Sequence, residues 1–139
     1  MIEFSGDQKT IAHSDSDIFR VLSDLRNLEQ VKALIPEDKI KDFSFDTDSV
    51  SFVVDAIGKV RFEVIEREPD RLVKFNSVKL PFDISLMIEL TSISETSTAM
   101  MLKVVSNLNP FMRGVVEKPI REAVDRISDA LAQLPYDKI

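Results

Sequence analysis

Apolar residues recur at two different spacings along this chain, and the order of the spacings predicts the architecture. From Phe43 to Val104 they alternate with polar residues, which is typical of strands that bury one face. In the C-terminal part they recur every three or four residues, which marks one face of an α-helix. This helical stripe consists of Ile120, Val124, Ile127, Leu131 and Leu134. The pattern predicts a run of strands followed by one long helix.

The segment before Phe43 is predicted to form one strand and two short helices. Residues 2–12 are strand-like, with Gly6 as a break or bulge. Ser14 is suited to cap a helix, because Asp17 three positions later completes a sequence that resembles a capping box. Residues 24–27 divide the helical segment in two, and Pro36 ends it. The apolar positions of this segment are Ile18, Val21, Leu22, Leu25 and Leu28.

Short turns separate the predicted strands, so consecutive strands are expected to be antiparallel neighbours in a meander. The turns fall at residues 46–49, 55–58, 68–71 and 94–96, and Gly58 supplies a positive φ for the second of them. Alternation then identifies the side chains that face the helix. This inward set is Phe52, Val54, Phe62, Val64, Phe75, Ile84, Leu86, Ile88, Met100, Leu102 and Val104. Val50, Val60, Val73, Ser77, Phe82 and Leu90 alternate in phase with it, and Phe43 and Phe45 share a face of their strand.

The final helix is bounded by prolines. Asn109 is the expected N-cap, because a residue before proline is pushed out of helical geometry, and Pro110 suits the first helical position. Pro119 lies inside the helix, where it cannot donate a hydrogen bond to the carbonyl of Val115. A kink is therefore predicted at Pro119, and Pro135 is expected to end the helix.

Composition restricts the classes of function. The 139 residues are 44% hydrophobic and 30% charged, which is typical of one globular domain spanning residues 1–139. A net charge of −6 argues against nucleic acid as a partner, since phosphate binding needs a basic face. The sequence has no apolar run of roughly 18 residues to span a bilayer and no signal peptide, so a cytoplasmic protein is expected. With no cysteine and one histidine, His13, no metal or cofactor is indicated.

Two segments resemble the START-like superfamily, also called SRPBCC. Ser14–Phe19 followed by Leu22–Leu28 is similar to the opening helix pair of that superfamily, and Gly58–Val73 is similar to its central hairpin. The order of the predicted elements extends the resemblance over essentially the whole chain. It implies an α+β helix-grip fold, in which a curved antiparallel sheet of about seven strands wraps around the C-terminal helix. One departure is the turn at residues 46–49, where plant members carry a glycine-rich loop.

In that superfamily a cavity between sheet and helix holds lipids, sterols, polyketides or isoprenoids, so the resemblance implies a small apolar ligand. The inward residues are nearly all hydrocarbons, as such pockets require. The looser first half of the final helix, around Gly114 and Pro119, is expected to form the mouth of the cavity. The candidate ligand-binding residues are Phe52, Val54, Phe62, Val64, Phe75, Ser77, Ile84, Leu86, Ile88, Met100, Leu102, Val104, Phe111, Arg113 and Val115.

Other roles are open for the polar candidates. Ser77 and Ser106 can equally be strand-end residues, and Arg113 and Glu117 are spaced to pair across one helical turn. His13 is expected to be exposed or capping, without a second histidine or a cysteine to make a metal pair.

The alternation along the strands also disfavours catalysis, because it places the acidic residues of the strands on the outward face. A carboxyl group needs burial to reach a pKa near neutrality, and Asp55, Asp83 and Glu89 are not expected to be buried. Tyr136 lies beyond the predicted helix end. No catalytic residue is therefore assigned.

Three functions are compatible with the sequence. The first is binding of a lipid, isoprenoid or polyketide-like ligand between sheet and helix. The second is a cyclase- or dehydratase-like enzyme of the same fold. The third is a protein-interaction domain with a closed core, which would meet a protein partner or a second copy through Val53, Ile65 and Met87 on the outer strand faces.

Overall fold

A computed structural model describes residues 2–29, 40–54, 58–79, 83–107 and 109–136 of the 139-residue chain. Eight antiparallel strands form one sheet, and a long C-terminal helix packs on it, which confirms the predicted α+β helix-grip architecture. Residues 30–34 of the predicted second short helix, Phe82 and most of the turn at 55–58 lie outside the described residues.

The strands follow one another in the sheet as the alternation predicted. Their bounds are β1 Ile2–Ser5, β2 Lys9–Ile11, β3 Ile40–Phe45, β4 Ser49–Val54, β5 Gly58–Glu68, β6 Leu72–Ser77, β7 Ile84–Ser94 and β8 Ser97–Ser106. The order across the sheet is β1-β8-β7-β6-β5-β4-β3, so β3 to β8 form the expected meander. Gly58, the first residue of β5, has a φ of 93°, a value that glycine adopts without strain.

The predicted first strand is divided into two, which raises the strand number from about seven to eight. Both β1 and β2 pair with β8, and the division falls at Gly6, where the sequence predicted a break. Gly6 donates its amide to the carbonyl of Leu102 at 2.9 Å. A Cβ atom built on Gly6 would lie 2.9 Å from both Ser128 Oγ and Val124 Cγ1. Only glycine lets the C-terminal helix approach the sheet this closely.

Side-chain caps fix where the helices begin. Helix α1 spans Asp15–Leu22, and the Ser14 hydroxyl accepts a hydrogen bond from the amide of Asp17 at 3.2 Å, as predicted. A short 3-10 helix, Leu25–Leu28, follows. Helix α2 spans Pro110–Ala132, and the side chain of Asn109 accepts from the amide of Met112 at 2.8 Å. The helix continues through Pro119 without interruption.

Helix α2 lies closest to one side of the sheet, against β8, β2 and β1. Its buried residues Val116, Ile120, Val124 and Leu131 face the sheet, as the spacing predicted. The remaining strands, β3 to β7, lie farther from the helix backbone. The core therefore depends on large residues on those strands to fill the space under the helix.

Tyr136 anchors the segment after α2, which the sequence did not predict. Its side chain is fully buried, and its hydroxyl donates to the carbonyl of Leu131 at 2.5 Å. The His13 ring packs edge-on against it with the centroids 5.7 Å apart, and Arg20 donates to its carbonyl at 3.1 Å. The end of the chain thus joins α2 to α1.

Replacing Gly6 by alanine is expected to lower the free energy of unfolding by about 1–3 kcal/mol, because the added methyl group meets Val124 and Ser128. The matched control is Gly114→Ala, since a Cβ at Gly114 meets nothing within 4 Å. Within the helix this control should raise stability by about 1 kcal/mol. Urea unfolding measures both variants. Equal effects at the two glycines would contradict the close approach at Gly6.

Burial raises the pKa of the Tyr136 phenol, because the phenolate would lose its water. The ordinary tyrosine pKa is about 10, so stability should be complete below that pH and fall above it, where the unfolded chain loses the proton first. Tyr136 is the only tyrosine, so tyrosinate absorbance reports it alone. We expect the absorbance to rise only as the protein unfolds in alkali. A reversible rise at about pH 10 in folded protein would show that the phenol is accessible.

Candidate ligand cavity

A cavity of about 90 Å³ lies between the sheet and helix α2. Strands β3 to β8 supply one wall, the C-terminal two-thirds of α2 supplies the other, and α1 and the 3-10 helix contribute one residue each. The lining residues are Leu22, Leu25, Phe43, Val50, Phe52, Val60, Phe62, Phe75, Ile84, Leu86, Ile88, Val104, Ile120, Ala123, Val124, Ile127 and Leu131.

The two sequence periods explain how these residues meet. On β4, Val50 and Phe52 share the face that points to the helix, and on β7 Ile84, Leu86 and Ile88 do the same. On α2, residues at spacings of three and four line up along one side of the helix. Because α2 lies nearer β8 than β4, the gap opens over the strands that carry the phenylalanines.

Phenylalanine rings from three adjacent strands form a stacked row in the wall. The ring centroids of Phe43 and Phe52 are 6.0 Å apart with the planes inclined by 14°. Those of Phe52 and Phe62 are also 6.0 Å apart, at 26°. These are offset-stacked arrangements, which aromatic pairs prefer over a face-to-face sandwich. The row fixes the positions of the rings and gives the cavity an aromatic side.

The cavity has no polar side chain among the described residues that line it. The resolved pKa shifts of other groups lie outside it: a hydrogen bond to Asp129 raises the pKa of Lys9, and one from Arg26 lowers the pKa of Asp24. In the described ranges, no three His, Asp or Glu residues lie together in a way that could hold a metal ion. This part of the chain also contains no helix both long and apolar enough to cross a membrane.

The structure brings together about half of the residues predicted to contact a ligand. Those that line the cavity are Phe52, Phe62, Phe75, Ile84, Leu86, Ile88 and Val104. Met100 and Leu102 are fully buried in the core beside the cavity, and Val64 is partly buried against that core. The side chain of Val54 lies outside the described residues.

Ser77 does not line the cavity, and its hydrogen bond accounts for its position. The Ser77 hydroxyl accepts from the amide of Ile84 at 3.0 Å, which joins the end of β6 to the start of β7. The Ser106 hydroxyl donates to the carbonyl of Asp83 at 2.8 Å in the same region. Both serines have the strand-end role that was the alternative in the sequence.

Helix α2 carries three of the predicted ligand contacts on its outer side, away from the cavity: Phe111, Arg113 and Val115. Phe111 is 78% exposed and Val115 is 46% exposed. The reason is the helical period: the inward stripe runs through Met112 and Val116, so the residues one position earlier turn toward solvent. Arg113 pairs with Glu117 at 3.7 Å, as its spacing predicted, and Glu117 also meets Arg121 at 3.3 Å.

Several lining residues were not predicted as ligand contacts. Val50 and Val60 alternate in phase with the predicted inward residues, and Phe43 shares a face with Phe45. On the helix, Ile120, Val124, Ile127 and Leu131 belong to the predicted apolar stripe, so the sequence carried a signal for these residues too. For Leu22 and Leu25 the helical spacing predicted burial but not a shared cavity. Ala123 had no signal of its own, because a small residue beside an apolar stripe is common on any helix.

Comparison with solved structures shows that the chain has the START-like fold. Norcoclaurine synthase from Thalictrum flavum, in complex with dopamine and hydroxybenzaldehyde, matches with a TM-score of 0.76 and 14% identity over 99% of this chain and 88% of that chain. A START superfamily protein from Mycobacterium smegmatis gives 0.64 and 13%, over 94% of each chain. A protein from Thermus thermophilus gives 0.66 and 19%, over 95% of each.

No family model matches the chain, and no curated protein matches it in sequence. The identities to the three solved structures are low, so these likenesses establish the fold alone.

Truncation of two phenylalanines distinguishes the cavity wall from the outer helix face. Phe52→Ala should lower the free energy of unfolding by about 3–5 kcal/mol, because a buried ring is lost and a larger cavity remains. Phe111→Ala should change it by less than about 0.5 kcal/mol, because the ring is mostly in solvent. Chemical unfolding measures both. A large loss in Phe111→Ala would place that ring inside the protein.

Proposed function

We propose that this protein binds a small hydrophobic ligand in the cavity between the sheet and helix α2. The observation that carries the proposal is a space of about 90 Å³ bounded by hydrocarbon side chains. Protein interiors are normally packed to the density of organic crystals, so a gap of this kind forfeits contacts that a guest would restore. An apolar cavity of this kind stays dry, because water there finds no hydrogen-bond partner.

The volume limits what can enter without rearrangement. Pockets for drug-sized ligands measure roughly 300–1,000 Å³, and an engineered cavity that binds benzene measures about 150 Å³. The space here therefore suits one small ring or the apolar end of a lipid, isoprenoid or polyketide-like molecule. A larger guest would require half-buried side chains at the cavity, such as Leu86 and Ile127, to move.

One solved structure of the same fold supports a ligand of this size. The Thalictrum flavum enzyme of the same fold holds dopamine and hydroxybenzaldehyde, each built on one aromatic ring. Binding is proposed for this chain in preference to a cyclase- or dehydratase-like reaction. Such a reaction needs an acid or base in contact with the guest, and the described lining residues supply neither.

The outer strand faces favour a ligand over a protein partner. Val53 lies opposite Lys59, and Met87 lies between Lys74 and Lys103 on the neighbouring strands. Lysine side chains therefore flank both Val53 and Met87, two of the three apolar residues that an interaction surface would need to join. The cavity, in contrast, contains unfilled apolar volume that a small ligand would occupy.

Filling the cavity from the helix tests the proposal. Ala123 lines the cavity, so Ala123→Leu should weaken binding of toluene by about tenfold or more, the loss expected for some 1.4 kcal/mol of contact. Toluene serves as the probe, and NMR titration of the labelled protein measures its affinity. Urea unfolding checks that the variant is folded.

The matched control on the same helix is Val115→Trp, which adds bulk on the outside and should leave toluene affinity unchanged. The reverse result, weaker binding in Val115→Trp alone, would place the entrance at residues 114–119. Absence of toluene binding to the unmodified protein would refute the proposed function.

A further inference from the structure

The two walls of the cavity differ in chemistry. On one side the rings of Phe43, Phe52 and Phe62 stand in a row with centroid separations of 6.0 Å. On the other side the lining residues of helix α2, among them Ile120 and Leu131, are purely aliphatic. A guest between the walls therefore touches aromatic rings on one side and aliphatic groups on the other.

The row of rings is rigid, because each member is held by its neighbour and by the strand pairing beneath it. Phe52 lies directly opposite Val60, and Phe62 directly opposite Val50, in the β4–β5 register. Phe52 and Phe62 are 7% and 5% exposed, so neither ring can turn away into solvent. An incoming ring can add to an aromatic arrangement that is already ordered, with little loss of side-chain entropy.

We propose that the cavity selects unsubstituted hydrocarbon groups, with an aromatic ring seated against Phe43, Phe52 and Phe62, and rejects hydroxylated counterparts of the same size. This inference rests on the proposed function and specifies its ligand class. It separates this chain from its fold neighbour, whose structure contains the phenolic compounds dopamine and hydroxybenzaldehyde.

The selection against hydroxyl groups follows from the lining. A hydroxyl carried into this space gives up its hydrogen bonds to water, and no described lining side chain offers a donor or acceptor in return. Ser77 and Ser106, the polar residues predicted on the inner face, do not line the cavity; they hydrogen-bond to the amide of Ile84 and the carbonyl of Asp83. The cost of desolvation is therefore not recovered.

The first test uses the unmodified protein and two probes of almost equal shape, toluene and phenol. Toluene should bind about a hundredfold more tightly than phenol, the discrimination typical of an apolar pocket against an added hydroxyl. NMR titration gives both affinities. Phenol binding within about tenfold of toluene would overturn the selection while leaving the proposed function intact.

The second test isolates the aromatic contribution. The ratio of toluene affinity to methylcyclohexane affinity should fall by about two- to tenfold in Phe52→Leu, because the ring contact is lost while an apolar side chain is kept. Phe62→Leu should behave alike and guards against failure of one variant to fold. Phe111→Leu, an exposed position, is the control and should leave the ratio unchanged.

The outcomes separate the two claims. One outcome is that toluene and methylcyclohexane both bind with an affinity ratio that is the same in Phe52→Leu and Phe62→Leu as in the unmodified protein. The contact of an aromatic ring with these phenylalanines is then refuted, and the proposed binding of apolar ligands stands. If neither hydrocarbon binds the unmodified protein, the proposed function fails and the selection fails with it. A lowered ratio in both wall variants, with phenol rejected, supports the inference.

Discussion

The close approach of helix α2 to the sheet at Gly6 is the constraint on which the rest of the structure depends. With no side chain at this position, Val124 and Ser128 come within van der Waals distance of the β1–β2 connection. That contact draws the helix toward β8, β2 and β1. Tyr136 then secures the far end of the helix against α1. Once the helix is fixed on this side, a gap must open over the strands on the other side.

The gap is filled by large side chains, and they do not fill it completely. Phenylalanines on β3, β4, β5 and β6 extend toward the helix, and a space of about 90 Å³ remains among them. Unfilled apolar volume is costly in a folded protein, since each missing methylene of packing weakens the core. A protein that keeps such a space, with every described lining group a hydrocarbon, gains stability from any apolar guest that fits it.

Most of the fold follows from the two hydrophobic periods, because each period is the direct result of helix or strand geometry. The sequence also predicted the caps at Ser14 and Asn109 and the break at Gly6, where local chemistry is decisive. It did not predict the burial of Tyr136, because that depends on a partner, His13, that is distant in sequence, and no local pattern marks the pair.

The site was harder to predict than the fold for a related reason. Alternation shows that Phe52 and Met100 both face inward, but whether a residue borders a gap or packs against a neighbour depends on where the helix lies. Phe111 and Val115 were expected at the cavity mouth because their part of the helix contains Gly114 and Pro119. Helical phase, set by Val116 and Ile120, turns both toward solvent instead.

A crystal structure of the protein under xenon pressure tests the central claim most directly. Xenon enters dry apolar cavities without needing a hydrogen bond, and its density marks their position. We expect a xenon atom between Phe52 of the sheet and Ile120 of helix α2, with the surrounding backbone unchanged. Absence of xenon from this space, with xenon bound elsewhere in the same crystal, would show that the core is closed and contradict the account.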